Sequence, residues 1–83
     1  MIWTKSDIQN ARKAMLYNIL KKQEYDLKKI DKENYCIKNM PNIIIKQNYW
    51  YDKFQKKGGN AIDFFTKIEQ LSFMEAMKKI MTN

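Results

Sequence analysis

The chain has no histidine, one cysteine, one proline, two glycines and a single arginine, and each shortage closes off some chemistry. One thiol cannot form an internal disulfide, and Cys36 without any imidazole cannot complete a four-ligand Cys/His zinc site. The missing imidazoles also remove His-based general acid/base catalysis, Cys-His and Ser-His nucleophile pairs, and His-containing metal hydrolase sites. A hydrolytic enzyme is therefore not expected, and neither is a cofactor. Long apolar runs are lacking too. Blocks such as Ile43-Ile44-Ile45 run to three or four residues, far short of the roughly 20 residues of a membrane span. The opening MIWTKSD lacks the apolar segment of a signal peptide. The expectation is a soluble, cytoplasmic protein without a membrane partner, its lone thiol free in a reducing compartment.

What the chain does have is positive charge. Sixteen Lys and Arg oppose nine Asp and Glu, a formal net charge of +7 on 83 residues. Such a field favours encounters with a polyanion or an acidic protein surface. It is unevenly placed: residues 1–57 hold thirteen basic and six acidic side chains, whereas residues 58–83 hold three of each. Lys, Ile and Asn together make up 34 residues, as an AT-rich coding sequence would produce, and fifteen of the sixteen cations are Lys. Lysine suits loose phosphate tracking better than the bidentate base reading of Arg. A chain this short makes a single domain, residues 1–83, burying only about 60% of its unfolded surface. Without disulfide or zinc, a partner is the remaining source of extra stability.

Ser6-Asp7-Ile8-Gln9 has the form of a capping box, which predicts a helix from Asp7 to about Lys22. Ile8, Ala11, Met15, Ile19 and Leu20 recur on one of its faces. Tyr25 and Leu27, then Tyr35 and Ile37, alternate with polar neighbours as short strands joined through Lys32-Glu33-Asn34. Met40-Pro41-Asn42 reads as punctuation. Ile43-Ile44-Ile45 and Tyr49-Trp50-Tyr51 form a hairpin around Lys46-Gln47-Asn48. Gly58-Gly59 supplies the freedom for a sharp reversal, and Asn60 caps a helix that carries Ile62, Phe65 and Ile68 inward. Ser72-Phe73-Met74-Glu75 opens a last helix, with Phe73, Ala76, Met77 and Ile80 inward. The predicted fold is α+β: an N-terminal helix, a small antiparallel β-sheet and two C-terminal helices, with the helices on one side of a meander.

The stretch from Tyr49 to Ile80 resembles the second half of the zinc-ribbon domain at the front of bacterial DnaG-type primases. There a Cys-x-x-Cys strand runs into Gly-Gly-Asp-x-Ile-x-Phe and a helix with Ser-Phe-x-Glu-Ala. Gly58, Gly59, Asn60, Ile62, Asp63, Phe64, Ser72, Phe73, Glu75 and Ala76 carry the likeness. Upstream it rests on the first helix, Leu27-Lys28-Lys29 and Tyr35. The metal ligands are gone. Alignment puts Asn39 and Asn42 where one knuckle has Cys and His, and Asp52 and Gln55 where the other has two Cys, while Cys36 falls beside a ligand position. The chain is more similar still to the cysteine-less versions accompanying topoisomerase-primase domains of mobile-element proteins, which keep a Trp-Tyr strand before the double glycine. Zinc-free folding then requires an apolar replacement core, for which Ile43, Ile44, Ile45, Trp50, Phe54, Phe64, Phe65 and Phe73 are the candidates.

The resemblance implies a non-catalytic DNA-replication accessory that binds single-stranded template. Its partner would be a DNA polymerase, primase or helicase supplied in trans, on a mobile genetic element. The residues give a separate reason for a nucleic-acid surface. Tyr49 and Tyr51 offer faces for base stacking, and Lys46, Lys53, Lys56 and Lys57 offer cations for phosphate. Strand alternation leaves two choices, Trp50 buried with both tyrosines exposed, or the reverse. Lys21, Lys22, Lys28, Lys29 and Lys32 read equally well as a solvated rim. The competing function is a protein–protein docking module or inhibitor whose basic face meets an acidic partner. Duplex binding by the C-terminal helices is disfavoured by their neutral charge balance. Asp52, Asp63, Glu69 and Glu75 are scattered, so no catalytic constellation is expected.

Overall fold

The computed structural model describes residues 2–82. Helix α1 spans Lys5–Lys13 and α2 Leu16–Lys22; strands β1 to β5 are Leu27–Lys29, Tyr35–Ile37, Met40–Lys46, Tyr49–Asp52 and Lys57–Gly59. Helix α3 begins at Ala61–Asp63 and continues as a widened π-turn over Phe64–Ile68, and α4 is Phe73–Met81. The five strands form one antiparallel meander in the order β1-β2-β3-β4-β5. The protein is thus a mixed helix-and-sheet fold with helices at both ends of the chain, as the periodicities predict.

The first helix departs from expectation at both ends. Its cap is Thr4, not Ser6: the Thr4 hydroxyl accepts from Asp7 N at 3.0 Å, and Asp7 Oδ2 accepts from Thr4 N at 3.0 Å. Two overlapping boxes compete here. The one closed by an ionised Asp wins over the one closed by Gln, because a carboxylate makes the stronger hydrogen bond and favours the helix N-terminus. The helix then breaks at Ala14, whose ψ is 147°, although Ala and Met are good helix formers. Tertiary structure overrides propensity, since Tyr17 N donates to the Gln47 carbonyl of the β3–β4 turn at 2.8 Å. Met15, at the break, is 42% exposed instead of buried.

Met40-Pro41-Asn42 does not separate strands but begins β3. The β2–β3 register jumps from Cys36↔Ile44 to Ile37↔Met40, leaving an irregularity beside Pro41. Proline is tolerated where a strand bulges, because no ladder bond needs its missing N–H.

Gly58 and Gly59 are likewise part of a strand, not a reversal, and neither has a positive φ. The left-handed turn positions fall instead to Glu24, Gln47, Lys56 and Gln70, with φ between 51° and 63°. What the glycines permit is close approach. A Cβ on Gly58 would lie 2.2 Å from Tyr49 Oη and 2.6 Å from the Trp50 carbonyl oxygen. One on Gly59 would lie 2.5 Å from Asp63 Oδ2, which closes the α3 capping box by accepting from Asn60 N.

The core lies between one sheet face and the helices. Ile37, Ile43, Ile45 and Trp50 come from the sheet; Ala11, Leu16, Ile19, Leu20, Ile62, Phe64, Phe65, Ala76, Met77 and Ile80 come from the helices. The consecutive Phe64 and Phe65 are both fully buried, edge to face at 5.2 Å. The wider π-turn, marked by Glu69 N donating to the Phe64 carbonyl, accompanies this double burial. Three further residues predicted for the core are not in it. Ile44 alternates to the outer face and is half-buried, Phe73 is 42% exposed at the first turn of α4, and Phe54 is 88% exposed on the β4–β5 turn.

Candidate nucleic-acid interface

Strand β4 decides between the two aromatic arrangements. Its burial alternates, with Trp50 at 2% and Asp52 at 5% exposure, and Tyr49 and Tyr51 at 46% and 36%. Trp50 is held inside by packing and by its indole N–H, which donates to the Asn60 carbonyl at 2.9 Å. The tyrosines stand on the face that no helix covers, two residues apart and so roughly 6.8 Å along the strand.

The register builds this outer face into a row. Lys28 pairs with Cys36, Cys36 with Ile44, Ile44 with Tyr51, and Tyr51 with Gly58. Beside it Lys46 pairs with Tyr49. Lys28, Lys46, Tyr49 and Tyr51 are exposed, and Cys36, Ile44 and Gly58 half-buried. Tyr49 leans over the bare backbone of Gly58, so the double glycine helps to set the pose of an exposed ring.

The other sequence-predicted cations divide. Lys53 and Lys56 lie in the β4–β5 turn, at the far end of β4 from Lys46. Lys57 pairs with Asp52, and strand alternation puts it on the opposite face from Tyr51. The structure therefore gathers Lys46, Tyr49 and Tyr51 on one surface, leaves Lys53 and Lys56 exposed in the turn that follows β4, and turns Lys57 aside.

Three of the four positions aligned with metal ligands come together. Asp52 Oδ1 accepts from Asn42 Nδ2 at 3.0 Å, from Phe54 N at 2.8 Å and from Gln55 N at 3.2 Å. The Asn42 bond, then the backbone donors and Lys57, hold the Asp52 carboxyl below its ordinary value of 3.8 against the opposing effect of burial. Asn39 is elsewhere, exposed in the two-residue β2–β3 turn. These residues do not fit zinc: only Asp52 has a zinc-ligating group, and one of its oxygens is already bound by three N–H donors. Among the described residues no cluster of three His, Cys, Asp or Glu side chains could hold a metal ion.

Sequence reasoning missed two features. One is Phe54, whose exposure depends on a turn held by Asp52. The other lies at the opposite end of the sheet, where Tyr17 and Tyr35 stack with centroids 4.4 Å apart. Hydrogen bonding with Tyr17, then burial, raises the Tyr35 phenol, against the pull of nearby Lys29 and Lys21. Lys32 lines the shallow groove beside this pair with Met15, Glu33 and Gln47. Part of the supposed lysine rim thus surrounds aromatic rings. The spacing of Tyr17 and Tyr35 carries no sign of that, because their meeting depends on the break between α1 and α2.

No helix among the described residues is long and apolar enough to cross a membrane. No family model matches this chain, and no curated protein matches it.

Proposed function

We propose that the protein is a non-catalytic DNA-replication accessory that holds single-stranded template on the open face of its sheet. In this role it supports primer initiation by a polymerase, primase or helicase supplied in trans on a mobile genetic element. The observation that supports the binding role is the pair Tyr49 and Tyr51, exposed side by side on an uncovered face between Lys46 and Lys53. Exposed aromatic faces bind bases without demanding a sequence, and lysines track the phosphates. The replication context comes from the primase-ribbon resemblance alone. A partner protein has a separate surface open to it: a groove of about 300 Å³ lined by Trp3, Met74, Glu75, Lys78 and Thr82. Trp3 Nε1 is buried there without a hydrogen-bond partner among the described residues.

Fluorescence anisotropy with labelled oligonucleotides tests the binding role. Single strand should bind more tightly than duplex. Changing Lys46, Lys53 and Lys56 to Glu should abolish binding at moderate salt and lower the salt slope by up to about 2, one phosphate contact per lysine. Absence of single-strand binding at low salt, by the protein alone and with its co-purified partner, would sink the role. That result would favour the docking alternative, in which the same basic face meets an acidic protein.

A further inference from the structure

Packing does not account for Phe54. Its ring is 88% exposed, while the backbone beneath it is tied down. Asp52 Oδ1 accepts from Phe54 N and Gln55 N, Lys56 N donates to the Asp52 carbonyl at 2.8 Å, and Lys53 N donates to the Asn42 carbonyl at 2.9 Å. Lys56 holds a left-handed φ of 55° to close the turn. The result is an aromatic ring presented to solvent by a hydrogen-bonded turn, with Lys53 directly before it and Lys56 two residues after. The one carboxylate of the turn, Asp52, faces inward at 5% exposure. The tip is thus aromatic and cationic with its acid withdrawn, which suits a base with its phosphates rather than a basic protein.

We propose that Phe54 is a third stacking residue, capping the single strand at the end of the Tyr49–Tyr51 face by stacking on a terminal nucleobase of the bound segment. The inference rests on the nucleic-acid reading of that face. A single strand offers its base faces freely, whereas inserting the ring into duplex would first require unstacking a base-pair step. Lys53 and Lys56 hold the phosphates on either side of the capped base.

The test uses oligothymidylates carrying one 2-aminopurine stepped along the sequence, titrated with wild type, Phe54→Ala, Phe54→Leu, Phe54→Trp and Tyr51→Ala. Phe54→Ala should weaken binding roughly tenfold and erase the fluorescence response at one end of the protected segment. Phe54→Trp should keep both. Phe54→Leu retains apolar bulk without a π-face and should behave like Ala, which keeps the test valid if Ala disturbs the turn. Tyr51→Ala should erase the response at an interior position. If Phe54→Ala or Phe54→Leu binds like wild type while Tyr51→Ala does not, the face reading stands and the Phe54 inference falls. If wild type binds no single strand, both fall.

Discussion

The two sides of β4 do opposite work with similar residues. On one, Trp50 is 2% exposed and tied to Asn60, and on the other Tyr51 is 36% exposed with half-buried Ile44 as its cross-strand neighbour. Aromatic content alone does not separate core from surface. Which face meets the helices does, and that follows from a period of two anchored by Ile43, Ile45 and Trp50. The inner face should therefore answer substitution with lost stability, and the outer face with lost binding.

The largest expected break in that symmetry is Trp50→Ala. Removing a fully packed indole costs about 3–5 kcal/mol, enough to unfold much of so small a domain, and it leaves the Asn60 carbonyl with Phe64 N as its remaining donor. Tyr51→Ala, one residue on, should leave the urea midpoint almost unchanged while weakening single-strand binding. Parallel denaturation curves and anisotropy titrations check the pair. Equal losses of stability would show that the outer face is structural after all.

Next in size is Gly58→Ala. The new methyl would meet the Trp50 carbonyl oxygen at 2.6 Å and Tyr49 Oη at 2.2 Å, and backbone cannot yield as a side-chain tip can. An overpacking cost of about 1–3 kcal/mol is expected, with Tyr49 displaced from β5. This variant should lose stability and binding together, so it tests whether the two faces are coupled through β5. Full stability with reduced affinity would mean that only the Tyr49 ring moved.

Asp52→Asn separates charge from shape at the turn that carries Phe54. Because the Asp52 carboxyl is held below its ordinary value, its stabilising contribution is complete above about pH 4. That contribution is lost as the pH falls through the depressed value. The variant should be less stable than wild type at pH 7, and the gap should close on acidification. Thermal melts across pH 2 to 7 read this directly. A gap that persists at the lowest pH would show that the loss comes from the amide group itself and not from the missing charge.

Much of this architecture was legible from local signals. The hairpin around Gln47-Asn48, the Asn60 and Ser72 caps, and the helix-and-sheet layout follow from turn chemistry and periodicity. What failed was non-local. The break at Ala14 depends on a carbonyl thirty-three residues away, at Gln47, and the strand role of Gly58 and Gly59 depends on pairing with β4. Of the candidate site, Lys46, Tyr49 and Tyr51 were nameable as types, but only the register brings Lys28 into line with Tyr51. Phe54 was misread because a large apolar residue defaults to the core, and its exposure follows from the four-residue turn tied to Asp52.

The smallest expected effect concerns those same turns. With two glycines, both used for close approach, the chain places ordinary residues at its left-handed positions, Gln70 among them with φ 59° and an exposed side chain. A Cβ in that region costs up to about 1–2 kcal/mol, part of which glycine returns as greater unfolded-state entropy. Gln70→Gly should therefore stabilise the protein by about 0.5–1 kcal/mol. Gln70 lies far in sequence from the outer sheet face, so single-strand affinity should not move. A stability gain without change in binding would separate the helical layer from the open face; a loss of stability would mean that the Gln70 side chain contributes more than its backbone strain costs.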